Sequence, residues 1–343
     1  MKILYANDSR ATQWDNFVQN HPHSTNYHRW HWKRIIENNF GWQSLPLMAE
    51  ENGHPCGILP LFFQNSRFLG KWVSSVPLFQ AGGILADTPE AASALLHEAC
   101  ALTKRLGAKY LELRQSAPQI DGLTVRGDRV KAVLAIQADP QKMLQSLDSR
   151  VRTSIRKAEK FALTAQFGAA DLLDEFYSVF ARNMRDLGTP VYHKRFFADI
   201  LAAFPNESFI AVVRSAGKPV ACDFLLGYRQ AMESAWAASI RDSHPLKPNM
   251  FLHWKALCFA AQHGYLIFDF GRSVVGSGPH RYKMQWGSQE IPLPWSYWSP
   301  RKQQVQALNR HNPKLQLVIS AWRNLPLAIA NRVGPVLVKH LPS

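Results

Sequence analysis

The chain has 343 residues, 46% of them hydrophobic, and 40 lysines and arginines stand against 25 aspartates and glutamates, a formal charge of +15. That composition excludes a disordered or fibrous chain, allows two domains, and calls for an anionic partner: nucleic acid, a phosphorylated sugar or lipid, or an anionic membrane. Cys56, Cys100, Cys222 and Cys258 lack metal-site or disulfide spacing, and no apolar run reaches the roughly 18 residues that span a bilayer, so a reducing, cytoplasmic setting is expected.

Helical periodicity opens the chain in TQWDNFVQNHP and RWHWKRIIENNFG. Two alternating runs then flank Asn52-Gly53, a strong hairpin signal. An apolar run, WVSSVPLFQAGGILA, leads into the helical PEAASALLHEACALTKRLG and the strand AKYLELR. DPQKMLQSLDSRVRTSIRKAEKFAL follows and reads as one helix with a basic middle. The order then starts again. Helical ADLLDEFYSVFARNMRDLG and HKRFFADILAAFP precede a hairpin at Ala216-Gly217, MESAWAASI, the helical NMFLHWKALCFAAQHG and the strand YLIFDFGR. Gly107 and Gly264 end the equivalent helices, so Glu112 and Asp269 fall at equivalent strand positions.

An internal repeat of this kind predicts an α/β chain (α+β, mixed sheets) of two like units, 1–140 and 141–300, followed by a tail, 301–343. Apolar residues in the tail are interspersed with Arg323, Arg332, Lys339 and His340. Two readings stay open for it: packing on its own domain, or peripheral contact with the inner membrane. Pro326 and Pro335 argue against one long amphipathic helix.

Several residue groups could carry chemistry. GRSVVGSG spaces its glycines like a phosphate loop, but Ser277 and Gly278 stand where Lys and Ser/Thr belong, and Pro279 argues against a helix opening there. Asp269 lies between phenylalanines and needs a partner, for which Arg272 is the nearest cation. It is either a structural ion pair or a carboxylate that orients or deprotonates an amine. Arg152 and Arg156 share a face within the run Arg150, Arg152, Arg156, Lys157 and Lys160, which fits a phosphate-bearing substrate or a solvated face. No histidine pattern has metal-ligand spacing.

The duplicated order resembles the tandem GNAT fold of the FemAB family, bacterial aminoacyl and peptidyl transferases of cell-wall synthesis. VRTSIRKAEK, FARNMRDLGTPVYHKRFF, FDFGRS and YKMQWG are similar to its branch associated with exosortase and PEP-CTERM exopolysaccharide systems. The resemblance implies acyl transfer to an amine on a cell-envelope or exopolysaccharide precursor. It matches Lys283, expected on a return strand, to a lysine that stabilises the oxyanion of the tetrahedral adduct, with Tyr282 and Trp286 beside it. Arg185 and Tyr192 would line the acceptor cleft, and Trp236 and Ser239 would border the acyl channel. RDSHPLKPNM and ADTPE replace the glycine-rich pyrophosphate loop of acetyl-CoA-binding domains. The donor therefore stays open between an aminoacyl-tRNA and an acyl-CoA, with no tightly bound cofactor; tRNA and a phosphorylated sugar or lipid-linked precursor are the implied partners. The competing reading is a non-catalytic protein that binds polyanions or polysaccharides through a relic cleft.

Overall fold

A computed structural model describes residues 1–115, 123–301 and 313–341. The chain divides into two compact units. The first holds the chain to Arg129, a segment beginning at Pro292 and the end from Val336; the second holds Val130–Ile291 and the tail to Pro335. Two boundaries thus differ from the sequence reading. The strand Arg129–Ala135 joins the second sheet, and Trp295–Trp298 joins the first unit by pairing with Leu111–Arg114. Long-range strand pairing decides both, and nothing local in either segment announces it.

In the second unit the sheet runs Thr164–Gly168, Ser208–Ser215, Lys218–Tyr228, Ala231–Ser234, Ile267–Val274, Arg129–Ala135 and Gln289–Pro292. Ala216 and Gly217 both have positive φ, 47° and 76°, which the tight turn between the first hairpin strands requires. Ala231–Ser234 and Ile267–Val274 are parallel, so a crossover must join them; the helix Pro248–Gln262 supplies it. This helix and Ser149–Glu159 cover one face of the sheet around Phe251, Leu257, Phe268, Phe270 and Trp286. The basic segment is two helices, not one, because Leu147 leaves the helical region and the Asp148 side chain caps Ser149–Glu159 by accepting from the Arg150 amide.

The first unit repeats the crossover: Gly70–Ser75 lies parallel to Leu111–Arg114, and Pro89–Arg105 joins them. Its parallel pairing closes with Ser74 opposite Glu112; in the second unit it closes with Glu233 opposite Asp269. The expected equivalence of these two acids is therefore present in the register.

In the tail, Pro313–Arg323 and Leu327–Val338 are separate helices, as the prolines imply. Both bury one face in the second unit. Ile319 fills the space beside Gly188, and Gly334 lies against Val191 so closely that a Cβ would come within 2.9 Å of the Val191 nitrogen. No helix among the described residues is long and apolar enough to cross a membrane.

Candidate active site around Lys283

The strand Ile267–Val274 carries Asp269, Gly271 and Arg272, and the turn after it leads into a short helix, Gly278–Met284. This corrects two expectations. Pro279 opens the helix instead of opposing it, since a proline in the first turn forfeits no helical hydrogen bond, and Ser277 caps it by accepting from the His280 amide. Lys283 accordingly sits on a helix, not a return strand.

The helix aims Lys283 back at the strand. Its Nζ donates to the Gly271 carbonyl oxygen at 3.0 Å and to the Arg272 carbonyl oxygen at 2.9 Å. An ammonium has three N–H bonds, so one remains after these two. Burial pushes the Lys283 pKa down to about 8, and Arg272 adds to the fall; Asp269, Glu233 and Asp223 act against it.

Asp269 is buried, and its Oδ1 accepts the Gly271 amide at 2.8 Å. Lys131 approaches Oδ2 at 3.5 Å, from the strand Arg129–Ala135. Asp269 therefore fixes the backbone on which Lys283 rests, and the cation at its far oxygen comes from a strand that sequence reading did not connect with it.

Asp223 was missed altogether. It is fully buried in Lys218–Tyr228, its Oδ2 accepts the Ser234 hydroxyl at 2.6 Å, and its Oδ1 has no hydrogen bond among the described residues. Burial pushes its pKa up to about 8, against the opposing influence of Ser234 and Lys283. A carboxylate inside the apolar run VACDFLL was the available signal, the same one that singled out Asp269. His253, also missed, places Nδ1 2.9 Å from the Asn249 carbonyl oxygen and 3.0 Å from the Tyr282 hydroxyl, and burial lowers its pKa to about 4. It is held as the neutral imidazole. Burial also raises the Tyr282 phenol.

Lys283, Asp269 and Arg272 are thus brought together. Tyr282 and Trp286 pack beside them in the core with His253 and Phe270, and Trp286 is fully buried. The remaining expected site residues have other contacts. Trp236 packs edge-on against Phe196, Phe197 and Phe224, and Tyr192 packs on Phe196 while its carbonyl accepts the Tyr177 hydroxyl. The Ser239 hydroxyl lies 3.1 Å from His244 Nε2. Arg185 pairs with Asp186 and donates to the Leu325 carbonyl oxygen, which ties the tail to the helix Leu173–Leu187. Arg152 donates to the Gln145 and Leu147 carbonyl oxygens, satisfying the end of the helix Pro140–Ser146. Arg156 is exposed, and with Arg152, Gln141, Leu144 and Gln145 it lines an open basin of about 430 Å³.

Two antiparallel hairpins, each leading to a parallel pair joined by a crossover helix, with a half-buried lysine beside the second parallel pair, give a tandem GNAT-fold protein of mixed α/β architecture. Residues 145–284 match the model of the acetyltransferase (GNAT) domain. The crystal structure of FemX superposes with a TM-score of 0.68 at 15% identity, covering 93% of this chain and all of FemX. The C-terminal domain of a putative lysylphosphatidylglycerol synthetase from Agrobacterium fabrum gives 0.57 at 14% identity, covering 85% of this chain and 92% of that one. A tandem GNAT protein from the clavulanic acid biosynthesis pathway gives 0.55 at 11%, covering 87% and 97%. No curated protein matches by sequence. Among the described residues no group of three or more His, Cys, Asp or Glu side chains could hold a metal ion.

Proposed function

We propose that the chain is an N-acyltransferase and that Lys283 stabilises the oxyanion formed when an amine attacks an activated acyl carbon. The observation that carries this is the anchoring of its Nζ on two backbone carbonyls, which holds the ammonium in place before any substrate arrives and leaves one N–H to donate. The amine nitrogen forms the new C–N bond, the C–O or C–S bond to the donor's leaving group breaks, and the proton lost by the nitrogen ends on that leaving group. Asp269 orients the Gly271 backbone beneath the lysine, and Arg272 adds positive charge beside it.

The acceptor amine belongs, on this reading, to a phosphorylated sugar or lipid-linked precursor of the cell envelope or exopolysaccharide. Support comes from the excess of cations, the arginine-lined basin at Arg152 and Arg156, and the resemblance of FDFGRS and YKMQWG to the exosortase-associated branch. The donor is an acyl group carried on tRNA or on coenzyme A, bound as a substrate and not held as a resident cofactor.

The test is transfer to an amine by the purified protein from labelled aminoacyl-tRNA and from acyl-CoA, alongside mass spectrometry of ligands retained through purification. Turnover of either donor that is lost in Lys283→Ala supports the reading. Salt-sensitive polyanion binding with no turnover of any donor would establish a binding protein instead.

A further inference from the structure

From Arg301 to the end of the chain there are seven lysines and arginines and no aspartate or glutamate. Nearly half of the net charge of +15 therefore lies in about an eighth of the sequence. In this same stretch the two tail helices expose large apolar side chains: Leu317 at 72%, Val318 at 63%, Ile329 at 48% and Val333 at 38%. Each helix already has a packed side, Ile319 and Trp322 in one, Ala330 and Gly334 in the other. The apolar residues that remain outside recur at helical spacing, Ile329 with Val333, with the exposed Arg332 beside them. Arg323 is exposed at the end of the preceding helix.

We infer that the exposed sides of these two helices dock on an anionic lipid surface, with their apolar residues entering the boundary between headgroups and acyl chains and the arginines meeting lipid phosphates. Charge complementarity selects that occupant. A second copy of the chain would set the same acid-free, cationic stretch against itself. A nucleic acid would satisfy Arg323 and Arg332 but leave Leu317, Val318, Ile329 and Val333 in water. A neutral surface would accept the apolar residues and leave the cations without a counterion.

Co-sedimentation of the full chain with phosphatidylcholine vesicles, and with vesicles of equal parts phosphatidylcholine and phosphatidylglycerol, tests the inference. Binding is expected only to the anionic vesicles and weakens as salt rises. Arg323→Gln and Arg332→Gln should each weaken it about fivefold. The triple variant Leu317→Asp, Ile329→Asp, Val333→Asp should abolish it while far-UV circular dichroism stays unchanged, because all three positions face solvent. Absence of binding to anionic vesicles overturns the inference, as does equal binding by the triple variant. A wild-type dimer in solution that the triple variant converts to a monomer would assign these exposed sides to a second copy instead.

Discussion

Lys283 reaches Gly271 from the helix that follows it, and a Cβ built on that glycine would lie 3.8 Å from Nζ and 3.1 Å from the Ser234 carbonyl oxygen. With φ at +74°, Gly271 also adopts a backbone conformation that side-chain-bearing residues avoid. Gly271→Ala should therefore cost roughly 1–2 kcal/mol of stability and move the carbonyl that positions the ammonium. Urea denaturation reads the first effect and transfer kinetics the second; a variant as stable and active as the parent would show that the backbone there adapts freely.

Replacing the cation itself should act on turnover, not on folding. Lys283→Ala is expected to lower the rate of transfer by about 10²–10³-fold, the usual effect of losing one oxyanion donor, while the thermal midpoint stays close to that of the parent. Lys283 is half-buried in the last turn of its helix, so its removal leaves a space that solvent can enter and not a closed cavity. Unchanged turnover would remove the lysine from the mechanism.

A second test of the same residue uses pH. The Lys283 pKa is lowered to about 8, so the ammonium is present below that pH and lost above it. The rate of transfer should accordingly fall above about pH 8, and Lys283→Gln should lack that fall. Stability runs the other way. The unfolded chain holds this proton up to about 10.5 and the folded chain releases it near 8, so the contribution of Lys283 to stability improves with rising pH between those values.

Asp223 has the opposite linkage. Its carboxyl keeps the proton up to about pH 8 when folded but only to about 3.8 when unfolded, so its contribution is favourable at low pH and declines as pH climbs through that window. Asp223→Asn preserves an acceptor for the Ser234 hydroxyl and removes the titration. The variant should lose this pH dependence and become more stable than the parent at alkaline pH, as denaturation at a series of pH values would show. A steeper decline in the variant would mean that the carboxylate charge is needed for folding.

In the first unit, Arg114 and Glu112 form a buried pair at 2.8 Å, the Tyr297 hydroxyl donates to the other Glu112 oxygen, and Arg114 and Arg129 both lie against the Trp295 ring, at 4.1 and 3.9 Å from its centroid. Arg114→Ala strands the acid without its cation and should cost about 3–5 kcal/mol, measurable as a drop in the denaturation midpoint. The double variant with Glu112→Gln should recover part of the loss.

The repeat was legible in the sequence because its signals are local: Asn52-Gly53 and Ala216-Gly217 at the turns, Gly107 and Gly264 past the helix ends. The helix that carries Lys283 is not legible in the sequence, since Pro279 reads as a breaker until its place in the first turn is known. Lys131 could not be joined to Asp269 from sequence, because the strand that carries it pairs with one far along the chain and the nearer Arg272 draws attention first. Asp223 is legible on the same ground as Asp269, a carboxylate inside a strongly apolar strand.

Two residues beyond Glu112 stands Arg114; two residues beyond Asp269 stands Gly271. Where the register closes in the first unit, the chain fills the space with its own cation and seals it. Where it closes in the second, it leaves the space empty of side chain and admits a lysine from another element. The duplicated scaffold thus uses one position in two ways: Glu112 and Arg114 close it with a buried ion pair in the first unit, and Gly271 leaves it open to the Lys283 ammonium in the second.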